Sequence, residues 1–471
     1  MVLKYYIAVI LVIGLIMLSK SKMLTSLLSG LFIIVQLAFT SYAFLHKGTI
    51  DTVYFTYDDL GLIFLGILAF LCVSSFYHAL SYLKYEPVNN YNIYQIGFLA
   101  LLASITGVYL SNNLTLTWIF MEATTLSVAA LIYHNRTILT LEATWKYVFI
   151  CSTGIALAYL GILFLSMAVK GLPESGMSYN NLSNIVYTEG SLYLKLAFIF
   201  ILVGYSAKME IFPLYTIGID ANYVAPAPAS AFISTALVNA GFIAVFRVYK
   251  VMAPSAVGHW MGNVFIICGI ASLLVAAIYM QRVKNFKRLL AYSTVENMGL
   301  VCIGLGLGGG AVYAALLLVI LHSFVKSSMF YQFGQAHKIL KTYKIFRTGD
   351  YLKLNPIGAM VLLIGLIVLT GIPPSGLFVP EFLIFKTAVA SGHWILFVLI
   401  TLFMCLIIYG MCSKVLQLIF SPMDRVVDTS VKVNPWQTIT QYIMLGFAVY
   451  MCFSQPQFLK EMIVNATSFV K

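Results

Sequence analysis

Charge is scarce in this sequence. Asp, Glu, Lys and Arg together make up 9% of its 471 residues, against roughly 25% in a soluble domain, so lipid rather than water is the expected solvent. A polar stretch long enough to separate soluble domains is missing as well, which leaves residues 1–471 as a single transmembrane domain. Cysteine is sparse and scattered, at Cys72, Cys151, Cys268, Cys302, Cys405, Cys412 and Cys452, with no C-x-x-C pair. That spacing argues against iron–sulfur or zinc ligation by this chain and for small apolar packing residues; no cofactor is expected. Acidic residues are outnumbered, 16 against 28 Lys and Arg, for a net charge of +12. In a soluble protein such a balance would suggest nucleic acid. Here the cations sit in short loops between apolar runs, as in Gln281–Arg288, and read as a topology signal, so no nucleic-acid partner is expected. No A-x-A cleavage site follows the first apolar run, which therefore reads as a retained span.

What the sequence has in abundance is apolar residues, 61% of the chain. Runs long enough to cross a hydrocarbon core of ~30 Å recur from end to end. We count about fourteen by the usual window, centred near Ile10, Ile34, Ile67, Leu101, Leu126, Leu157, Phe200, Ala236, Gly269, Met298, Leu318, Leu366, Leu402 and Leu445. The fold class is thus all-α, a polytopic bundle. Loops after odd-numbered spans, with Lys20, Lys22, Lys84, Arg282, Lys284 and Lys344 among their cations, carry roughly twice the Lys and Arg of the opposite side, which places them in the cytoplasm and both termini outside. The expected location is the inner (plasma) membrane of a prokaryote.

An ionisable side chain at the bilayer centre costs at least ~2.5–3.5 kcal/mol, so each one deep in an apolar run is a functional candidate. Four stand out: Glu122 in WIFMEATTLSVAAL, Lys208 in LVGYSAKMEIFPLY, Lys326 in LLLVILHSFVKSSMFYQF and Glu381 in GIPPSGLFVPEFLIF. His322 joins Lys326, because i, i+4 spacing puts both on one helix face. Plainer roles exist for each. Glu122 could be solvated near an interface, Lys208 or Lys326 could snorkel, Glu381 could pair with a nearby base, and His322 could be a satisfied core histidine.

Proline marks the backbone beside two of these residues. Pro213 follows Lys208 by five positions, and Pro373 and Pro374 precede Glu381. Each removes a helical hydrogen bond, which a membrane tolerates only inside protein or beside a hydrated cavity. Spans seven and twelve are therefore expected to be broken helices. Their separation by five spans matches two inverted five-helix repeats, residues 92–253 and 259–420, with the breaks pointing to ion sites. The run Gly304–Gly309 fits G-x-G-x-x-G, but no strand precedes it, and it reads as a tight turn between spans ten and eleven.

Four motifs resemble the antiporter-like subunits shared by complex I, Mrp cation/proton antiporters and group 4 membrane hydrogenases. Met121-Glu122 with Leu126 and Ser127 is similar to the family's span-five glutamate motif. Lys208 with Pro213-Leu214 and the stretch Ala225–Ala231 resembles the span seven–eight lysine motif. Lys287–Ser293 resembles the loop into span ten, and His322 with Lys326 the span-eleven pair. Within the family, Glu142–Tyr147, Cys151–Ala156 and Ser293–Gly299 are similar to the hydrogenase 4 branch, and there to its F component. Asn239, where complex I relatives often carry lysine, and Glu381, where they carry lysine, agree with that branch, whereas Pro380 departs from the usual small residue.

The resemblance implies a proton-translocating, non-redox subunit of a respiratory-type complex, most simply of the hydrogenase 4 or formate hydrogenlyase type. The alternatives are a complex I (NADH:quinone oxidoreductase) membrane subunit or a Mrp-type sodium/proton antiporter subunit. Implied partners are other membrane subunits and a peripheral iron–sulfur module, hydrogenase-like or NADH-dehydrogenase-like. The implied relay runs from Glu122, paired with Lys208, through Lys326 and His322 to Glu381.

Overall fold

In a computed structural model, residues 1–170, 176–183, 191–423 and 433–469 are described, and helices dominate them. In chain order these are α1 (Val2–Leu18), α2 (Lys22–Leu45), α3 (Asp59–Tyr82), α4 (Val88–Leu110), α5 (Leu114–Ile132), α6 (Ile138–Ala168), α7 (Tyr179–Ser183), α8 (Ser191–Met209), α9 (Thr216–Val224), α10 (Ala227–Phe232), α11 (Val238–Met252), α12 (Gly258–Arg282), α13 (Phe286–Leu307), α14 (Gly310–Leu340), α15 (Tyr351–Leu354), α16 (Pro356–Leu369), α17 (Phe378–Ala390), α18 (Trp394–Phe420), α19 (Ile439–Phe453) and α20 (Gln457–Thr467). Each apolar run read from the sequence falls on a helix. Among the described residues, 11 helices are long and apolar enough to cross a membrane, α10 and α11 counting as one continuous span through the π turn Ile233–Leu237. The small non-helical element is a hairpin of two-residue strands, β1 (Ile50–Asp51) and β2 (Phe55–Thr56).

Local chemistry sets the helix ends. Asn113 caps α5 by accepting from the Thr115 and Leu116 amides, Asp58 caps α3 through Gly61, Thr137 and Thr140 form a capping box at α6, and Asn285 caps α13. At the other end of α4, the Arg247 guanidinium collects the carbonyls of Val108, Tyr109 and Ser111 and pairs with Asp58 at 2.7 Å. Lys287 does the same for α9, donating to the carbonyls of Tyr223 and Ala225. Cationic side chains at helix C-termini satisfy orphan carbonyls and the negative end of the helix dipole.

Spans seven and twelve are broken. After α8 the chain turns at Glu210 (φ +56°) and passes Pro213 before α9 begins; after α16 it turns at Gly371 (φ +62°) and passes Pro373 and Pro374 before α17. The freed backbone is satisfied within protein. The Phe212 amide donates to Ser272 Oγ of α12, and the Phe378 amide donates to Ser375 Oγ. Pro380 sits in the first turn of α17, where its missing N–H has no helical acceptor to lose. The tight turn expected over Gly304–Gly309 is shorter: Gly304–Leu307 are the last turn of α13, and only Gly308 (φ +74°) and Gly309 (φ +52°) carry the chain to α14.

The centre of the bundle is α10–α11 and α14, which bury nearly their whole surface, polar residues included. A helix buried all round needs no amphipathic stripe; here it carries an internal polar one. Thr235 and Asn239 meet α14, with Asn239 donating to Ser323 Oγ at 2.8 Å and Ser327 to Thr235 Oγ1 at 3.4 Å, while Ser234 bonds to Thr294 of α13 at 2.8 Å. By contrast α1, α2 and α18 leave many large apolar side chains exposed, Leu18 and Ile395 each at 80%, as surfaces for lipid or other membrane proteins. All seven cysteines are free thiols on helices.

Candidate functional site

Lys208 ends α8 at the first helix break and is 1% exposed. Its ammonium donates to Thr124 Oγ1 of α5 at 3.1 Å and to the Tyr147 hydroxyl of α6 at 3.0 Å, and lies 5.0 Å from the Tyr147 ring centroid. Glu122, in the middle of α5, is half-buried and accepts from Ser152 Oγ of α6 at 2.8 Å, while its second oxygen is buried without a protein partner. The direct Glu122–Lys208 pair expected from the sequence is not formed. Both groups instead turn to α6, which holds the lysine through Tyr147 and the glutamate through Ser152, five residues apart. The reason is geometric: Tyr147 and Thr124 already provide the lysine with two oxygen acceptors.

Lys326 is fully buried in the middle of α14 and donates to the Leu290 carbonyl and to Ser293 Oγ (2.7 Å) of α13. Snorkelling is ruled out by this inward geometry. His322 lies one turn away on the same helix, also fully buried, with neither ring nitrogen bonded to protein. Glu381 occupies the first turn of α17, buried, with Oε1 unpartnered and Oε2 resting where a side chain on Gly371 would have to be.

Two further carboxylates complete the arrangement. Glu210, two residues past Lys208, is 2% exposed, accepts from Asn222 Nδ2 of α9 at 3.0 Å, and packs against Gly218, whose missing side chain makes its room. Glu296 of α13 is 1% exposed. Each leaves one oxygen without a protein partner. Lys326 feels both of them electrostatically, and Glu296 in turn acts on Glu381. Glu122 and Lys208 thus share α6, Lys326 stands with Glu210 and Glu296, and Glu296 acts on Glu381, with His322 beside Lys326. The carboxylate oxygens without protein partners and the His322 ring leave hydrogen-bonding capacity open inside the bundle, of the kind that buried polar groups fill with protein or water. Alternating carboxylates and amines with such gaps can pass protons by exchange along hydrogen-bonded water. Among the described residues no three His, Cys, Asp or Glu side chains converge as metal ligands.

The fold and sequence have counterparts in known proteins. Residues 111–408 match the family described as NADH:quinone oxidoreductase/Mrp antiporter, TM. The chain belongs to this family of membrane subunits. Among relatives, it is 31% identical over 350 residues to the hydrogenase-4 component F homolog of Methylacidiphilum infernorum, covering 72% of this chain and 73% of that one. Among solved structures, its fold is similar to a chain of the archaeal membrane-bound sulfane sulfur reductase (TM-score 0.85, 21% identity, 99% of this chain and 96% of that one). It is also similar to a chain of the Mrp complex from Dietzia sp. (TM-score 0.81, 15% identity, 99% and 95%). As an antiporter-like membrane subunit, the chain has its buried charges inside the matched region, Glu122 to Glu381.

The Tyr147 contact gives a first test. A hydrogen bond to a charged group is worth about 1.5–3 kcal/mol, so the Tyr147→Phe variant should slow proton uptake by membrane vesicles roughly tenfold or more while leaving its amount in the membrane unchanged. An unaltered rate would show that Tyr147 does not position Lys208.

Proposed function

We propose that this chain carries protons across the bilayer along its buried charge series, driven by partner subunits to which it is bound. The observation that carries this reading is the set of carboxylates and lysines inside the bundle, Glu122 on α5, Lys208 on α8, Glu210 in the turn after it, Glu296 on α13, Lys326 on α14 and Glu381 on α17, several with an unpartnered polar atom. In this mechanism Glu122 is the input: it is half-buried on the flank of the bundle, where a charge change in a neighbouring protein can reach it. Protonation of Glu122 removes a negative charge that acts on the Lys208 ammonium across α6, and the lysine's proton moves by way of Glu210 to Lys326. From there Glu296 and Glu381 take it to the exit, with His322 as a shuttle beside Lys326. The groups act on one another strongly, so they titrate as a set.

The repeats of residues 92–253 and 259–420 belong to this proposal. Breaks in spans seven and twelve would place Lys208 with Glu210 and Glu381 at corresponding points of the two halves. The partners are other membrane subunits and a peripheral iron–sulfur module of the hydrogenase 4 or formate hydrogenlyase type, a reading supported by the component F homolog. The location is a prokaryotic inner membrane with both termini outside, supported by the loop charge. A second reading, a Mrp-type sodium/proton antiporter subunit, is favoured by the likeness to the Mrp chain, and a role in complex I differs from the first only in its electron donor.

The Glu122→Gln variant tests the relay. Glutamine keeps the bond from Ser152 but cannot change charge, so vesicles should assemble the complex normally and lose most proton uptake; full uptake would remove Glu122 from the mechanism. Mild-detergent purification with mass spectrometry of the co-purifying subunits separates the branches. A [NiFe]-type large subunit supports the hydrogenase reading, whereas an NADH-oxidising module, or sodium-dependent transport with only small membrane subunits, supports the others.

A further inference from the structure

A cavity of about 610 Å³ opens at the end of α12, beneath the short helix α9, where α6, α12 and α13 come together. The nine-residue helix α9 contributes Tyr223 to its wall. Four cations line it, Arg282, Lys284, Arg288 and Lys344. Arg288 is paired with Asp220 at 2.8 Å and stacks 4.5 Å from the Tyr223 ring, yet its Nε is buried with no partner. Arg282, Lys284 and Lys344 are exposed, and among the described residues none of them has an acidic partner.

These cations stand on a fixed platform. The loop before α13 and the loop after α14 are joined by the bridge between Asn285 and Lys344, and the Ile345 amide donates to the Lys284 carbonyl at 3.0 Å. The remaining walls are aromatic and apolar. Tyr279 and Tyr292 stack face to face with centroids 5.5 Å apart, and Leu139 and Phe346 complete the lining. Further along the two helices that contribute Leu139 and Tyr279 to the lining, apolar side chains are exposed, Phe149 on α6 and Leu274 and Ile278 on α12. A volume of this size holds a small organic ligand, and the three cations without a counter-ion, Arg282, Lys284 and Lys344, favour an anion between them. Tyrosines at the polar edge of apolar helices are the usual membrane-interface arrangement.

The geometry points to a binding site for an anionic phospholipid, its phosphate among Arg282, Lys284, Arg288 and Lys344 and its acyl chains along α6 and α12. A soluble phosphate would use the cations but not the apolar extension. A phosphatidylcholine would use the extension but would bring its own cation to the platform. By loop charge this end is the cytoplasmic one, where anionic headgroups attract basic juxtamembrane segments.

The test uses the full chain, purified and stripped of lipid, with phosphatidylglycerol, phosphatidylcholine or inorganic phosphate added, and native mass spectrometry as the readout. Phosphatidylglycerol should be retained and phosphatidylcholine should not. The triple variant R282Q/K284Q/K344Q should weaken phosphatidylglycerol binding at least tenfold. Those side chains are exposed and lie outside the proton series, and the single variant K344Q, expected to weaken binding severalfold, repeats the test should the triple variant fold poorly. Equal retention of both lipids, or unchanged binding in the variants, would overturn the proposal. So would millimolar phosphate displacing the lipid completely, which would make the site one for a free anion. Loss of the lipid on assembly with partner subunits would assign the platform to an acidic protein segment instead and would equally overturn it.

Discussion

The Lys326→Met variant should abolish proton uptake while the protein accumulates in the membrane at near wild-type level. Methionine matches the length of the lysine stem, so α14 keeps its packing against α13. What disappears is the ammonium that donates to the Leu290 carbonyl and Ser293 Oγ and that stands electrostatically between Glu210 and Glu296. Removing one partner of a buried charged set leaves the others uncompensated, a cost of about 3–5 kcal/mol if they stay ionised. Glu210 and Glu296 lose the amine that stands between them, so no group is left on α14 to take a proton from one and give it to the other. The loss should therefore exceed that of Tyr147→Phe, in which the charge survives. The measurement is the initial rate of proton uptake by inverted vesicles, normalised to the amount of assembled complex. A rate within twofold of wild type would place the proton path away from α14. Lys326→Arg is the informative companion: it keeps the cation but cannot release a proton in this environment, so it should rescue assembly and not transport.

How much of this is legible in the sequence differs between fold and site. The spans are legible because apolar run length is a one-dimensional property, and every run coincides with a helix. The two breaks are legible from Pro213, Pro373 and Pro374, since proline acts on the backbone wherever it sits. Lys326 stands out for the same reason as the spans, with apolar neighbours on both sides. Glu296 meets the same criterion but reads in sequence only as part of a branch-specific motif. The basic pair Lys287–Arg288 makes α13 look as if it enters the membrane later than it does; in the structure Lys287 is itself buried in the first turn, capping α9. Glu210 is hidden by a different cause. Two residues past Lys208, at the end of an apolar run, it looks interfacial. Only the left-handed turn at Glu210 itself returns its side chain to the interior, and glutamate gives no sign of such a conformation, as glycine would. The Glu122–Lys208 relation fails on rotation. Sequence places both residues at depth but does not set the azimuth of α5 and α8, so the interposition of Tyr147 and Ser152 on α6 cannot be seen in it.

The Arg247→Met variant should be the most destabilising single change away from the charge series. Arg247 is 4% exposed and lies on the same span as Asn239, two turns further along. Its guanidinium gathers three carbonyls from the end of α4 and the Asp58 carboxylate that caps α3, and lies 5.5 Å from the Tyr179 ring. One side chain thus ties four helices together at one end of the bundle. Methionine would fill part of the volume but leave the α4 carbonyls without their donors, at about 1–3 kcal/mol for each buried group, and Asp58 without its partner. A loss of about 3–5 kcal/mol is expected, seen as a fall of several degrees in the thermal transition of the detergent-solubilised protein. Arg247→Lys keeps the charge but has no planar fork to serve three acceptors, so it should fall between the two. A transition within one degree of wild type in Arg247→Met would mean that water replaces the guanidinium at no cost. The consequence reaches the proton path through Tyr109, which donates to the Ala236 carbonyl at 2.8 Å inside the π turn between α10 and α11. That turn presents Ser234 and Thr235 to α13 and α14, the helices that carry Glu296 and Lys326. If the α4–α11 joint sets the position of the turn, the surviving folded fraction of Arg247→Met should also transport more slowly per molecule than wild type, which separates a joint that positions the relay from one that merely holds the bundle closed.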